Sequence, residues 1–154
     1  MNEKLTRQDI GGLIARLAVG GVFIYSGLIK ALAPAEEFAF AIESYKVVGP
    51  QLALIAANVV PWVELWAGLL LAAGVFTRLT AGFIALMLVF FELLLGQAWL
   101  RGLEITSCGC FGAAGSNSLG QEFVQNLALL LICAAAFKHG LGFSADRALE
   151  KHEG

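Results

Sequence analysis

The stretch Leu79-Thr-Ala-Gly-Phe-Ile-Ala-Leu-Met-Leu-Val-Phe-Phe-Glu92-Leu-Leu-Leu-Gly-Gln-Ala-Trp99-Leu100 decides the fold class. It has the roughly 17 to 25 residues that a bilayer core requires of a helix, and Glu92 is its one acidic or basic side chain. No strand alternation runs through it. Hydrocarbon offers no partner to backbone N–H and C=O groups, so such a run satisfies them internally as a helix. Three further runs of the same kind flank it, giving spans of about 10–33, 51–76, 79–100 and 123–143. The expected architecture is all-α, a four-helix transmembrane bundle forming a single integral membrane domain.

Composition agrees. Of 154 residues, 58% are hydrophobic and 14% charged, and the mean hydropathy is +0.78, outside the range of soluble domains. Ten basic against twelve acidic residues, with no basic block, exclude nucleic-acid binding. Three cysteines are too few for a secreted disulfide scaffold. Glycine is abundant, at 18 residues, and Gly27/Ala31, Gly68/Ala72 and Ala81/Ala85 have the small-xxx-small spacing that lets membrane helices approach closely.

The first run resembles a signal peptide in having Lys4 and Arg7 before an apolar stretch. Arg16 interrupts the apolar core, Lys30 crowds the would-be cleavage site and Pro34 follows it, so a retained first helix is expected. Lys4, Arg7, Arg16, Arg78, Lys138, Arg147 and Lys151 fall on the side of the termini, against Lys30, Lys46 and Arg101 on the other. This bias predicts cytoplasmic termini and exterior long loops in a multi-pass membrane protein. Between the first two spans, Phe38, Ala41, Ile42, Tyr45 and Val48 fall near helical spacing, with Glu36, Glu37, Glu43 and Lys46 on another face. A short interfacial helix is expected there, serving as a joining lid or as a docking surface.

The connection 101–122 carries the most distinctive chemistry, Cys108-Gly109-Cys110-Phe111-Gly112. Closing a disulfide across one residue requires a turn, for which Gly109 gives a permissive backbone. Strain in so small a ring would make the bond an oxidant. Three readings stand: a redox-active pair, a static structural disulfide, or a zinc or copper(I) site. The loop has no third soft ligand unless two chains share one, because His139 and His152 fall at the other side; no metal is expected. Cys133, roughly 15 Å deeper along the fourth helix, reads as a small buried thiol.

Glu64 and Glu92 lie inside spans, where acidic side chains face the bundle interior and mark pairing or function. At similar depth, the two would resist joint ionisation. Glu64, with Trp62 and Trp66, and Glu92 are candidates for a proton-handling, quinone-sized site; the alternative for either glutamate is a structural pair with Arg16 or Lys30. Pro61 frees the Ala57 carbonyl and is expected to kink the second span. Asn126 and Arg101, near the outer ends of their helices, are candidates for positioning the cysteine loop. Trp99 suits an interfacial aromatic belt.

Together, Phe23-Ile-Tyr25-Ser26-Gly27-Leu-Ile-Lys30, Phe38-Ala-Phe-Ala-Ile42-Glu-Ser-Tyr45, Pro61-Trp62-Val-Glu64-Leu65, Arg101-Gly102 and Cys108-Gly-Cys110-Phe111-Gly112 resemble the MauE/DoxX group of redox-associated membrane proteins. The resemblance spans nearly the whole chain. It implies a four-helix membrane protein in which Cys108 and Cys110 are the redox pair. MauE proteins are associated with methylamine utilisation, helping a thioredoxin-like periplasmic partner manage disulfides. DoxX/DoxD relatives include a membrane subunit of thiosulfate:quinone oxidoreductase. The chain departs from the family pattern at Gln125, where an arginine often precedes the asparagine, and in a spacing one residue longer around Pro34 and Pro50.

The leading functional expectation is therefore a thiol–disulfide redox component that exchanges electrons with a thioredoxin-like exterior protein and passes them toward membrane quinone. One alternative is a proton-coupled small-solute transporter, built as a homo-oligomer, with Glu64 or Glu92 as carrier. Another is a non-catalytic anchor subunit of a thiosulfate:quinone-type oxidoreductase. No haem or dinucleotide fingerprint is present.

Overall fold

The computed structural model describes residues 7–103, 105 and 118–140. Among them are five helices: α1 (Arg7–Leu32), α2 (Ala35–Ser44), α3 (Pro50–Ala73), α4 (Thr77–Leu100) and α5 (Leu119–His139). All but α2 are long and apolar enough to cross a membrane, which makes this a multi-pass, all-helical membrane protein.

Local chemistry sets the helix limits. Pro34 lacks an N–H and restricts the residue before it, so α1 stops and α2 starts anew. Pro50 occupies the first turn of α3, where a missing N–H costs nothing. The second span was expected to reach residue 76, yet α3 ends at Ala73. Gly74 adopts a left-handed conformation (φ 74°), and the N–H groups of Gly74 and Val75 return to the Leu70 carbonyl. The expected fourth span of 123–143 is shifted the other way. Ser118 accepts from the Gln121 N–H while the Gln121 side chain accepts from the Ser118 N–H, so a capping box starts α5 a turn earlier.

α1 packs against both α3 and α5, and α5 packs against α4, so the spans run α3, α1, α5, α4 around the bundle. α3 and α4 touch each other least among these neighbours. Two glycine contacts set the α1–α3 approach. A Cβ on Gly27 would lie 2.6 Å from the Pro61 carbonyl oxygen, and one on Gly68 would lie 2.8 Å from the Gly20 oxygen. These contacts make the helices antiparallel, with backbone against backbone. They also leave the first turns of α3 standing beyond the end of α1, and α2 folds back over that projection, burying Ala39 against Ala53 and Ala57.

The start of α1 and the end of α5 share one end of the bundle, where the Gly12 backbone meets that of His139 and Arg16 Nη1 donates to the Gly140 carbonyl at 3.0 Å. This is the terminal end; the longer connections lie at the opposite, loop end. Toward the terminal end the interior is filled by Val19, Phe23, Leu71, Ala81, Ile84 and Cys133. At the loop end a second cluster gathers Tyr45, Leu95, Ala98 and Ile105, with Leu103, Leu119 and Phe123 against it.

Candidate functional site

Between these clusters the bundle encloses a cavity of about 320 Å³ lined from all five helices. Its back wall is buried and partly polar, including Ser26, Lys30, Glu122 and Asn126. Its mouth is apolar and exposed, with Leu52 on α3 and Phe90 on α4. The volume lies at the small end of the range for ligand pockets.

Helix direction explains the polar back wall. Side chains lean toward the N-terminus of their helix. Lys30, near the loop-end terminus of α1, therefore reaches back toward the interior, while Glu64 on the antiparallel α3 reaches toward it. They meet with Lys30 Nζ 2.8 Å from both Glu64 oxygens, and their side chains are only 3% and 12% exposed. Ser26, one turn before Lys30, donates to Glu64 Oε2 at 3.1 Å. The ammonium also stands 4.9 Å from the centroid of Phe38, which closes the site from α2. Of the partners weighed from sequence for Glu64, the structure selects Lys30; Arg16 is committed to the end of α5.

On the other side, Asn126 Nδ2 donates to the Leu88 carbonyl at 3.0 Å and to Glu92 Oε2. Glu92 Oε1 is buried without a hydrogen-bond partner among the described residues. The two intramembrane glutamates thus hold separate partners rather than each other. Asn126 joins α5 to α4 within the bundle through these bonds.

Trp62 and Trp66 do not line the cavity with Glu64. Each is two residues from Glu64, about 200° around a helix, so they point outward and are 55% and 62% exposed. The aromatic lining comes instead from other elements, including Phe23, Phe38, Tyr45 and Phe91. Pro61 is buried at the α1 contact and α3 continues through it. The amphipathic segment is helical only to Ser44: Tyr45 caps it and Lys46 turns left-handed at φ 52°. Tyr45 and Val48 therefore reach the cavity from the connection that follows α2.

Arg101 is exposed at the end of α4, where Nη1 donates to Gln97 Oε1 at 3.1 Å. Gln97 Nε2 in turn donates to the Tyr45 carbonyl at 3.1 Å, tying α4 to the end of α2. Trp99, exposed, packs edge-on against Phe123 at 6.0 Å. Cys133 is buried and donates to the Ala81 carbonyl at 3.2 Å. Cys108, Gly109, Cys110, Phe111 and Gly112 lie outside the described residues. On either side of them, Ile105 and Leu119 pack on the same Tyr45–Leu95 cluster. Tyr45 belongs both to this cluster and to the cavity wall.

Gln97 and Glu122 do not stand out from sequence, and Ser26 enters only within the motif Phe23–Lys30. Ser26 stands one turn from Lys30, and that i, i+4 spacing was a usable signal. Glu122 looked like a loop residue until the capping box placed it in the first turn of α5, where it is buried.

The family model described as methylamine utilisation protein MauE matches residues 8–139. The chain belongs to the MauE family. No curated protein and no solved structure matches it. The MauE match runs from the first turn of α1 to the last residue of α5, so it takes in the cavity, both polar clusters and the connection bearing Cys108 and Cys110. The resemblance read from the sequence motifs is thereby confirmed at the level of family, and the family's description ties it to methylamine utilisation.

Proposed function

We propose that this protein is a membrane thiol–disulfide redox component, with its loop end facing the exterior of a bacterial inner membrane and both termini in the cytoplasm. In one half-reaction, a dithiol of an exterior thioredoxin-like protein attacks the Cys108–Cys110 disulfide. The partner leaves oxidised, and the chain is left with two thiols. In the other, the two thiols give two electrons and two protons to a quinone, and the products are the chain disulfide and a quinol.

The observation that carries this reading is the anchorage of the cysteine-bearing connection. Ile105 before it and Leu119 after it pack on the cluster that contains Tyr45, which also lines the cavity. The two described ends of the connection that bears Cys108 and Cys110 thus stand on a cluster that shares Tyr45 with an intramembrane cavity of ligand size, which supports the reading. The excess of basic residues at the terminal end supports the orientation.

The test is the redox state of the exterior partner in cells carrying Cys108→Ser, Cys110→Ser or both. Accumulation of reduced partner in each variant is the expected result. An unaltered partner redox state in the double variant overturns the proposal.

A further inference from the structure

The polarity of the cavity runs opposite to that of a phospholipid site. Its wall is almost wholly apolar, and the small polar part lies among buried residues such as Lys30 and Asn126 rather than at the mouth that meets the bilayer. Lys30 and Asn126 are each only 5% exposed, while Leu52 and Phe90 at the mouth are 60% and 62% exposed. A phospholipid entering from the bilayer would leave its headgroup at the interface and set methylenes against Lys30 and Asn126. Burying polar groups against hydrocarbon is unfavourable. An occupant with a compact polar ring inward and a hydrocarbon tail outward meets both surfaces.

The hydrogen-bonding capacity fits such a ring. An ammonium has three N–H donors, and two of those on Lys30 go to Glu64, leaving one for an acceptor in the cavity. Both N–H groups of Asn126 are used by Leu88 and Glu92, so its amide oxygen is left to accept. One donor and one acceptor on neighbouring helices match a ring oxygen that is a carbonyl when oxidised and a hydroxyl when reduced. Phe23, Phe38, Tyr45 and Phe91 supply aromatic surface around the ring position.

We propose that the cavity is the binding site of a lipid-soluble quinone, its ring held between Lys30 and Asn126 and its tail leaving between α3 and α4. The tail path follows the sparsest of the contacts that ring the four spans and passes Leu52, Ala56 and Val60 on one side and Met87, Phe90 and Leu94 on the other. This assignment rests on the redox reading above and names where its electron acceptor sits.

The experiment uses the full chain in phosphatidylcholine nanodiscs, photolabelled with an azido-benzoquinone bearing a short alkyl tail and mapped by mass spectrometry. Saturable labelling of cavity residues is expected, competed by decyl-ubiquinone and not by oleate. Lys30→Met is expected to weaken labelling about tenfold or more, the effect of losing a hydrogen bond from a charged donor. Because that variant also disturbs a buried ion pair, Ala56→Trp, which fills the mouth without removing a polar group, is the second arm and is expected to abolish competable labelling. Labelling spread over the lipid-facing surface and unchanged in Ala56→Trp overturns the site, as does equal competition by oleate, which would make the occupant an acyl chain.

The Cys108→Ser/Cys110→Ser double variant separates the two proposals. Retained quinone labelling with an unaltered partner redox state removes the thiol relay and supports the site. A working relay in a protein without competable labelling overturns the site alone.

Discussion

Replacing Lys30 with methionine keeps most of the side-chain length and removes its charge, stranding the Glu64 carboxylate, which is 12% exposed in the intact pair, inside the membrane with Ser26 as its remaining donor. Removing one partner of a buried ion pair costs about 3–5 kcal/mol, because the other charge is stranded. At roughly 2–4 °C per kcal/mol for a chain of this size, the thermal midpoint should fall by about 6–20 °C. Glu64→Leu should be similarly damaging, since it strands Lys30. The double variant Lys30→Met/Glu64→Leu replaces both groups with apolar side chains of similar size, an exchange that is often neutral or stabilising. It should therefore recover most of the loss. The assay is unfolding in detergent followed by circular dichroism, with the four proteins forming a double-mutant cycle. Additive losses, with the double variant as unstable as the sum of the singles, would refute the pairing of Lys30 with Glu64.

Gly27→Ala should destabilise by about 1–3 kcal/mol, as overpacking does, because its Cβ would meet Pro61 and Leu65 backbone atoms that cannot rotate away; Gly21→Ala, with nothing within 4 Å, should be neutral or stabilising in the same melts. Asn126→Leu removes the donor to Leu88 and Glu92 and should cost about 1–3 kcal/mol for the groups left unpaired, read as a lowered unfolding midpoint. Ser118→Ala removes the capping box of α5 and should cost about 0.5–2 kcal/mol. Cys133, buried and bonded to Ala81, should resist maleimide until the protein is unfolded, and Cys133→Ala should leave the partner's redox state unchanged.

The sequence made the membrane spans legible because length and apolarity alone select a helix in hydrocarbon. Their ends were less legible, and for local reasons. Gly74 terminates α3 through a left-handed turn inside an apolar run, where hydropathy does not fall. Ser118 and Gln121 have the spacing of a capping box, a signal present in the sequence that apolar-run counting passes over.

The polar interior was half legible. Glu64, Glu92, Lys30 and Asn126 stand out in apolar runs, but which pairs with which depends on helix neighbours and on the direction each side chain leans. Lys30 illustrates this: by position it belongs with the basic residues at the loop end, yet its side chain turns inward to Glu64. Trp62 and Trp66 illustrate the opposite error, since nearness in sequence to Glu64 puts them on the far face of the same helix. The cavity itself was not legible. It arises where α3 and α4, though joined by a tight turn, touch little, and where α2 and Tyr45 contribute to the wall.

The most direct test of the account is thiol trapping in intact cells with a membrane-impermeant, mass-tagged maleimide, with and without prior reduction, on the wild type and on Cys108→Ser and Cys110→Ser. The account expects the pair to be oxidised, labelled from outside only after reduction, and shifted toward free thiols when quinone is depleted. Thiols that remain free, or that stay inaccessible from outside after reduction, whatever the state of the quinone pool, would contradict it.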